Sequence, residues 1–258
     1  EFLMMPDPPD APMPEKKLNG LAKYGSRNTD WGPWPADESD AVDVRTANFV
    51  IRSLKKKHDK PFFLAAGIFR PHMPFFAPKD YFDMYPRSDV VMPKILDDDL
   101  DDLPSGAKKL LKPKKWFFRE LMEIEAKSPG TWQAAVRAYQ ASATFADAQV
   151  GRILDALDNS DYADNTIVVL WSDHGYHLGE KEHWEKFALW EKTNHVPFIV
   201  VAPGITRPGE RCESPVSLID IYPTLIDLCR LEQKPELDGV SLMPLLKDPN
   251  ADWDRPAV

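Results

Sequence analysis

Hydrophobic positions along the chain follow two spacings. From Asp40 to Lys57, Val44, Ala47, Ile51 and Leu54 recur at helical intervals and draw one apolar stripe. Asp40 is placed to cap the start, and Lys55, Lys56 and Lys57 suit the negative end of the helix dipole. Pro61-Phe62-Phe63-Leu64-Ala65-Ala66 follows, a continuous apolar run of the kind that forms a strand buried on both faces. Between Thr131 and Leu157 the helical period returns in Trp132, Val136, Tyr139, Ala143, Val150, Leu154 and Leu157. Ile167-Val168-Val169-Leu170-Trp171 is the strongest strand signal, and Pro197 to Ala202 predicts a second buried strand. Leu218 to Leu231 fits an amphipathic helix with Pro223 near its first turn. Helices alternating with all-apolar strands predict an α/β fold with a mainly parallel sheet.

The polar stretches between these elements set the organisation. Residues 1–38 hold Pro6, Pro8, Pro9, Pro12, Pro14, Pro33 and Pro35 among Asp, Gly and Asn, so an irregular segment is expected. Residues 39–258 then carry the α/β domain, interrupted at 86–115 by a polar, proline-punctuated insertion. That insertion includes the run Asp97-Asp98-Asp99-Leu100-Asp101-Asp102. The run lacks the Gly and terminal Glu of an EF-hand loop and reads as a solvated acidic loop.

Composition narrows the function classes. An apolar fraction of 43% in 258 residues is enough to bury an ordinary core. The 25 prolines, about twice the usual share, favour punctuated loops over a helical bundle. A net charge of −9 argues against nucleic acid as the main partner, because phosphate neutralisation needs a basic surface. No apolar run reaches the length of a membrane span. Cys212 and Cys229 make no disulfide framework and leave the redox compartment open. The opening residues, Glu1 to Pro6, lack the basic and apolar regions of a signal peptide and carry no initiator Met at position 1.

Ligands of open parallel sheets bind beyond the carboxyl ends of the strands. Two stretches lie there: Arg70-Pro71-His72-Met73-Pro74 and Ser172-Asp173-His174-Gly175. Four of the six histidines, His174, His177, His183 and His195, cluster in and after the second. Asp173 and His174 can hold a divalent cation, with Gly175 allowing close backbone approach. Two ligands are not a complete site, since Ca²⁺ takes six to eight oxygens and Zn²⁺ three or four protein ligands. His177 and His183 either line a substrate pocket or sit solvated in a loop, and His195 suits a structural hydrogen bond. Arg70 either holds an anionic substrate or pairs with a nearby carboxylate.

Longer motifs bring a family into view. Ile167 through Glu180, Trp184-Glu185-Lys186, and His195-Val196-Pro197 through Pro203-Gly204 resemble the C-terminal half of a sulfatase. Lys60 through Phe75, Tyr139 through Leu154 and Ser217 through Leu225 resemble the same family in the same order, over roughly residues 30 to 250. The similarity points to the iduronate-2-sulfatase and choline-sulfatase branch. It implies an alkaline-phosphatase-like α/β/α sandwich, incomplete in this chain. It also implies one Ca²⁺, or another hard divalent cation such as Mg²⁺, and hydrolysis of a sulfate ester, with a sulfated sugar as the expected substrate. By the same resemblance Asp173 and His174 match metal ligands. His72 matches a histidine facing the sulfate and the leaving oxygen, and Lys186 a lysine contacting sulfate oxygens.

The departures are as informative. The family's nucleophile is a formylglycine made from Cys or Ser in a C-x-[PA]-x-R stretch, and neither Cys212 nor Cys229 lies in that context. The family's N-terminal Asp-Asp metal pair is also absent, as is its small C-terminal subdomain. The chain is therefore expected to be an internal segment, inactive alone and completed by an N-terminal part of the same protein. A phosphodiester or phosphonate monoester hydrolase of the same superfamily is the nearest alternative, and a non-catalytic fragment that binds metal or anion the next. By resemblance the protein would be exported, to the periplasm or outside the cell, or lysosomal.

Overall fold

In the computed structural model, which describes residues 12–257 apart from the side chains of 110–116, the elements follow in chain order. They are β1 (Trp31–Pro33), α1 (Val42–Leu54), β2 (Phe75–Ala77), α2 (Lys79–Asp83), α3 (Ser105–Lys127), α4 (Thr131–Asp158), β3 (Val168–Trp171), β4 (His177–Leu178), β5 (Trp184–Glu185), α5 (Glu191–Asn194), β6 (Phe198–Val201), α6 (Ile221–Leu228) and α7 (Met243–Lys247). They form two compact units. One runs to Ala163 and includes Tyr176–Leu189; the other comprises Asp164–Gly175 and the chain from Trp190 onward.

The first unit is built on α4. Its inward face is Ala135, Ala138, Ala141 and Phe145, and the small residues let α1 and β2 pack closely against it. β1 and β2 pair in parallel, with Trp31 opposite Phe75 and Pro33 opposite Ala77. β2 is buried along its length. The Phe75 ring meets Tyr139, Tyr176 and Trp184 at centroid distances of 5.4, 5.5 and 6.4 Å. Phe118 of α3 lies parallel to Trp184 at 6.5 Å, so α3 closes the aromatic core. β4 and β5 form a small antiparallel hairpin with Leu178 opposite Trp184.

The second unit pairs β3 and β6 antiparallel, Val168 opposite Val201 through Trp171 opposite Phe198. Asp220, buried ahead of α6, accepts hydrogen bonds from the Ser217 amide at 3.1 Å and the Val240 amide at 2.9 Å. The Thr224 hydroxyl donates to the Asp220 carbonyl and accepts from the Leu242 amide. These bonds tie the 240–242 segment to the start of α6.

Several expectations need correction. Pro61 to Ala66 forms no regular strand: its ladder pairing is confined to Phe63, which is 52% exposed. Apolar composition makes a strand only where a neighbour takes up a row of backbone groups, and a single bridge at Phe63 is not such a row. β3 and β6 form as expected but leave Trp171, Ile199 and Val201 about half exposed, so they are not buried on both faces. The parallel pairing expected of the sheet is present in β1–β2, while β3–β6 and β4–β5 are antiparallel. Helix α1 starts at Val42 with Ala41 as its N-cap. Asp40 lies in the preceding turn and pairs with Arg45 at 3.8 Å.

The polar stretch 86–115 is not one insertion loop, since α3 begins at Ser105. Pro113 and the lysines around it mask the helical period that Phe118 and Leu121 continue. Residues 1–38 are not wholly irregular either. They contain β1, the core residues Tyr24 and Trp31, and buried Asp30, which accepts the amides of Leu18, Asn19 and Trp31. The prolines before residue 12 lie outside the described residues.

Replacing Phe75 with Ala should lower stability by about 3–5 kcal/mol through the cavity it leaves among three aromatic rings. Calorimetric melting of the variant checks this, and a loss under about 1 kcal/mol would show that the core is not assembled around β2.

Candidate active site

His72 sits on a loop fixed from below. Asp43 of α1 is 2% exposed, and its carboxylate accepts the backbone amides of Phe69 at 2.7 Å and Arg70 at 3.1 Å. Burial pushes the Asp43 carboxyl above the usual carboxylate range, opposed by those two donors and by the Arg70 guanidinium. Arg70 lies over the Phe69 and Phe76 rings, 5.1 and 5.8 Å from their centroids, and donates to the His72 carbonyl at 3.2 Å. Burial lowers the Arg70 pKa and Asp43 counters it.

The His72 amide donates to the Phe69 carbonyl at 3.0 Å, and the Arg70–Pro71 and Met73–Pro74 peptides on either side are cis. His72 Nδ1 lies 2.7 Å from the Met73 carbonyl, which can only accept. Nδ1 therefore carries the proton, an assignment made from the bonding partner. His72 Nε2 then faces Lys186 Nζ at 3.4 Å.

Lys186 follows directly on β5. Trp184 anchors that strand, fully buried, while the Trp132 indole donates to the Leu178 carbonyl at 2.8 Å. Gly179 is required at the head of the turn: its φ is +138°, and a Cβ there would fall 2.9 Å from the Trp132 ring. His177 and His183 are fully buried, with their rings edge to face at 5.1 Å. They neither line an open pocket nor meet solvent, because the hairpin turns both imidazoles inward beside Trp184.

In the second unit Asp173 and His174 lie just past the end of β3. His174 Nδ1 is 2.8 Å from the Gly175 carbonyl, and its Nε2 is 3.6 Å from an Asp173 carboxylate oxygen. The Gly175 amide donates to the Thr193 carbonyl at 2.7 Å, and a Cβ on Gly175 would come 2.1 Å from the Lys192 carbonyl oxygen. Only glycine allows that approach. Among the described residues, no three His, Cys, Asp or Glu side chains are grouped to hold a metal. His195 Nδ1 pairs with Glu191 at 3.2 Å on the surface.

The structure thus brings His72 and Lys186 together in the first unit, and Asp173 and His174 together in the second. The Sulfatase family profile matches residues 13–231. The chain belongs to the sulfatase family. A sulfatase of Formosa agariphila is 36% identical over 250 residues, covering 92% of this chain and 47% of that protein. Human iduronate 2-sulfatase is 29% identical over 233 residues, covering 77% and 42%. A phosphonate monoester hydrolase from Silicibacter pomeroyi superposes with a TM-score of 0.69 at 25% identity, covering 94% of this chain and 47% of that one. The fold is the alkaline-phosphatase-like α/β architecture expected from the motifs. The chain spans about half the length of the curated relatives it matches. No helix among the described residues is long and apolar enough to cross a membrane.

Two acids that support these loops in this sulfatase-family chain lie outside its motifs. Asp43 is a carboxylate on the buried face of α1, four residues before Ala47 and seven before Val50. An acid on an apolar stripe was the available signal. Asp99 was read as part of a solvated loop, yet it pairs with Lys181 at 2.6 Å.

Asp43→Ala should cost about 1–3 kcal/mol, because it leaves the part-buried amides of Phe69 and Arg70 without their acceptor. Chemical denaturation of the variant checks this. A change within about 0.5 kcal/mol would mean that the loop is held by other contacts.

Proposed function

We propose that the full-length protein is a sulfuric ester hydrolase acting on a sulfated sugar, with His72 and Lys186 as catalytic residues and Asp173 and His174 as metal ligands. The observation that carries this is the pairing of His72 Nε2 with Lys186 Nζ at 3.4 Å in a chain of the sulfatase family. The saccharide part follows the human relative, which is an iduronate 2-sulfatase.

Each side chain has a task that its setting supports. Lys186 offsets the charge that develops on the sulfuryl oxygens as the ester bond breaks. His72 Nε2, after taking up a proton in addition to the one on Nδ1, passes it to the departing sugar oxygen, a poor leaving group while anionic. The Met73 carbonyl holds Nδ1–H throughout, so the ring keeps its orientation as Nε2 gains and loses its proton.

Asp173 and His174 fit part of a site for Ca²⁺ or another hard divalent cation such as Mg²⁺. The donor set joins a carboxylate to an imidazole whose Nδ1–H is spent on a backbone carbonyl, the arrangement that orients Nε2 toward a metal. A cation bound there supplies Lewis-acid stabilisation of a sulfuryl oxygen. The other ligands and the formylglycine nucleophile are assigned to a part of the protein outside this chain. The 258-residue chain alone then turns over no sulfate ester.

In the full-length protein, His72→Ala and Lys186→Ala should each lower kcat for an aryl sulfate by about 10²-fold or more with the fold retained. The phosphonate monoester hydrolase neighbour makes a phosphoester assay the necessary companion. Phosphodiester or phosphonate turnover exceeding sulfatase turnover by orders of magnitude would replace the sulfatase reading. The absence of both activities would favour a non-catalytic binding role. Calorimetric titration of Ca²⁺ into the 258-residue chain should show weak binding, since two ligands fall well short of the usual six to eight.

A further inference from the structure

The hairpin that delivers Lys186 turns through unfavourable backbone. Among the described residues, four non-glycine residues have a left-handed φ, and three lie here: Lys181 at +58°, Glu182 at +50° and Glu185 at +77°. Each costs about 1–2 kcal/mol relative to ordinary backbone, so contacts elsewhere must hold the turn. Trp184 anchors one side, and the Glu180 carboxylate accepts the Leu178 amide at 2.9 Å on the other.

The tip is gripped by the acidic run. Asp99 takes the Lys181 amide on Oδ2 at 3.1 Å and the Lys181 ammonium on Oδ1 at 2.6 Å. Its own carbonyl takes the same ammonium at 2.8 Å. The Asp99 side chain is 12% exposed and that of Lys181 26%, so this is not a loose surface pair. Their hydrogen bond holds Asp99 below its ordinary range and Lys181 above its own. Three bonds from one residue thus fix the first left-handed position, five residues ahead of Lys186.

We propose that Asp99 is a positioning residue for the active site: by clamping Lys181 it sets the strained turn that places the Lys186 ammonium against His72. This rests on the reading of His72 and Lys186 as an active-site pair. Asp99 touches neither reacting group and acts through Lys186.

The test is a double-mutant cycle in the full-length protein with an aryl sulfate. Asp99→Ala should lower kcat about tenfold while KM moves less than about threefold, and Lys181→Ala should do the same. Lys181→Arg should restore most of the loss, because it keeps a cation on the carboxylate. In a Lys186→Ala background Asp99→Ala should cost less than about twofold more, since the residue it positions is gone.

Full tenfold losses in both backgrounds, or wild-type kcat in Asp99→Ala, would overturn the proposal. If Lys186→Ala itself leaves turnover unchanged, the active-site reading fails and this proposal with it. An impaired Lys186→Ala with an additive Asp99→Ala fails this proposal alone. A crystal structure of Asp99→Asn or Lys181→Ala gives a readout independent of turnover. Lys186 Nζ should be displaced from His72 Nε2, and retention of the 3.4 Å contact would overturn the proposal.

Discussion

A buried carboxylate under a surface loop is the constraint on which the site depends. Asp43 is taken out of water by α1, and burial alone would favour its neutral form. It therefore collects donors, and the donors within reach are the amides of Phe69 and Arg70. Those bonds fix the approach to His72, and Arg70 carries the constraint onward by donating to the His72 carbonyl. The histidine ring is exposed, but its backbone is held by the interior of the unit. An exposed group held this way can meet a substrate without losing its direction.

Lys186 reaches the same place by a different route. Its hairpin is stabilised by aromatic burial at Trp184 and strained by three left-handed residues around that anchor. Strain of this kind persists only where surrounding contacts overdetermine the backbone. Phe118 and Trp132 supply part of that support through packing and the Leu178 carbonyl, Glu180 holds the Leu178 amide, and Asp99 adds its grip on Lys181. The His72 loop rests on one buried charge and the Lys186 hairpin on a buried ring. The 3.4 Å contact between them joins these two separately fixed pieces of backbone.

The long regular elements were legible in sequence because their signals repeat. α1, α4 and α6 show several turns of apolar period, and β3 and β6 are β-branched runs. β1 and β2 were not legible, since three residues beside prolines carry no periodicity, and their pairing depends on Asp30 and Phe75 meeting across the fold. The run at 61–66 misled for the opposite reason: it has strand composition without an extended ladder. Of the residues proposed to act, His72, Asp173, His174 and Lys186 could be singled out by motif. The burial of His177 and His183 could not, because a histidine-rich loop looks solvated until the hairpin folds inward. Supporting acids are hardest of all. Asp43 and Asp99 differ from other carboxylates only in what folds over them.

Charge gives the last step. A net charge of −9 would repel an anionic ester if it acted at long range. At physiological ionic strength exposed charges beyond about 8 Å are largely screened. What an ester meets at His72 is therefore set by its immediate neighbours. Lys186 lies 3.4 Å from the imidazole, whereas the nearby acid, Asp43, is buried with its oxygens engaged by the Phe69 and Arg70 amides. Asp99 is likewise spent on Lys181, and Glu180 on the Leu178 amide. The charges of Asp43 and Asp99 are thus engaged in holding backbone, and Lys186 is a cation facing His72 Nε2. An acidic protein can present a locally cationic site in this way, with its carboxylates serving as the struts of that site.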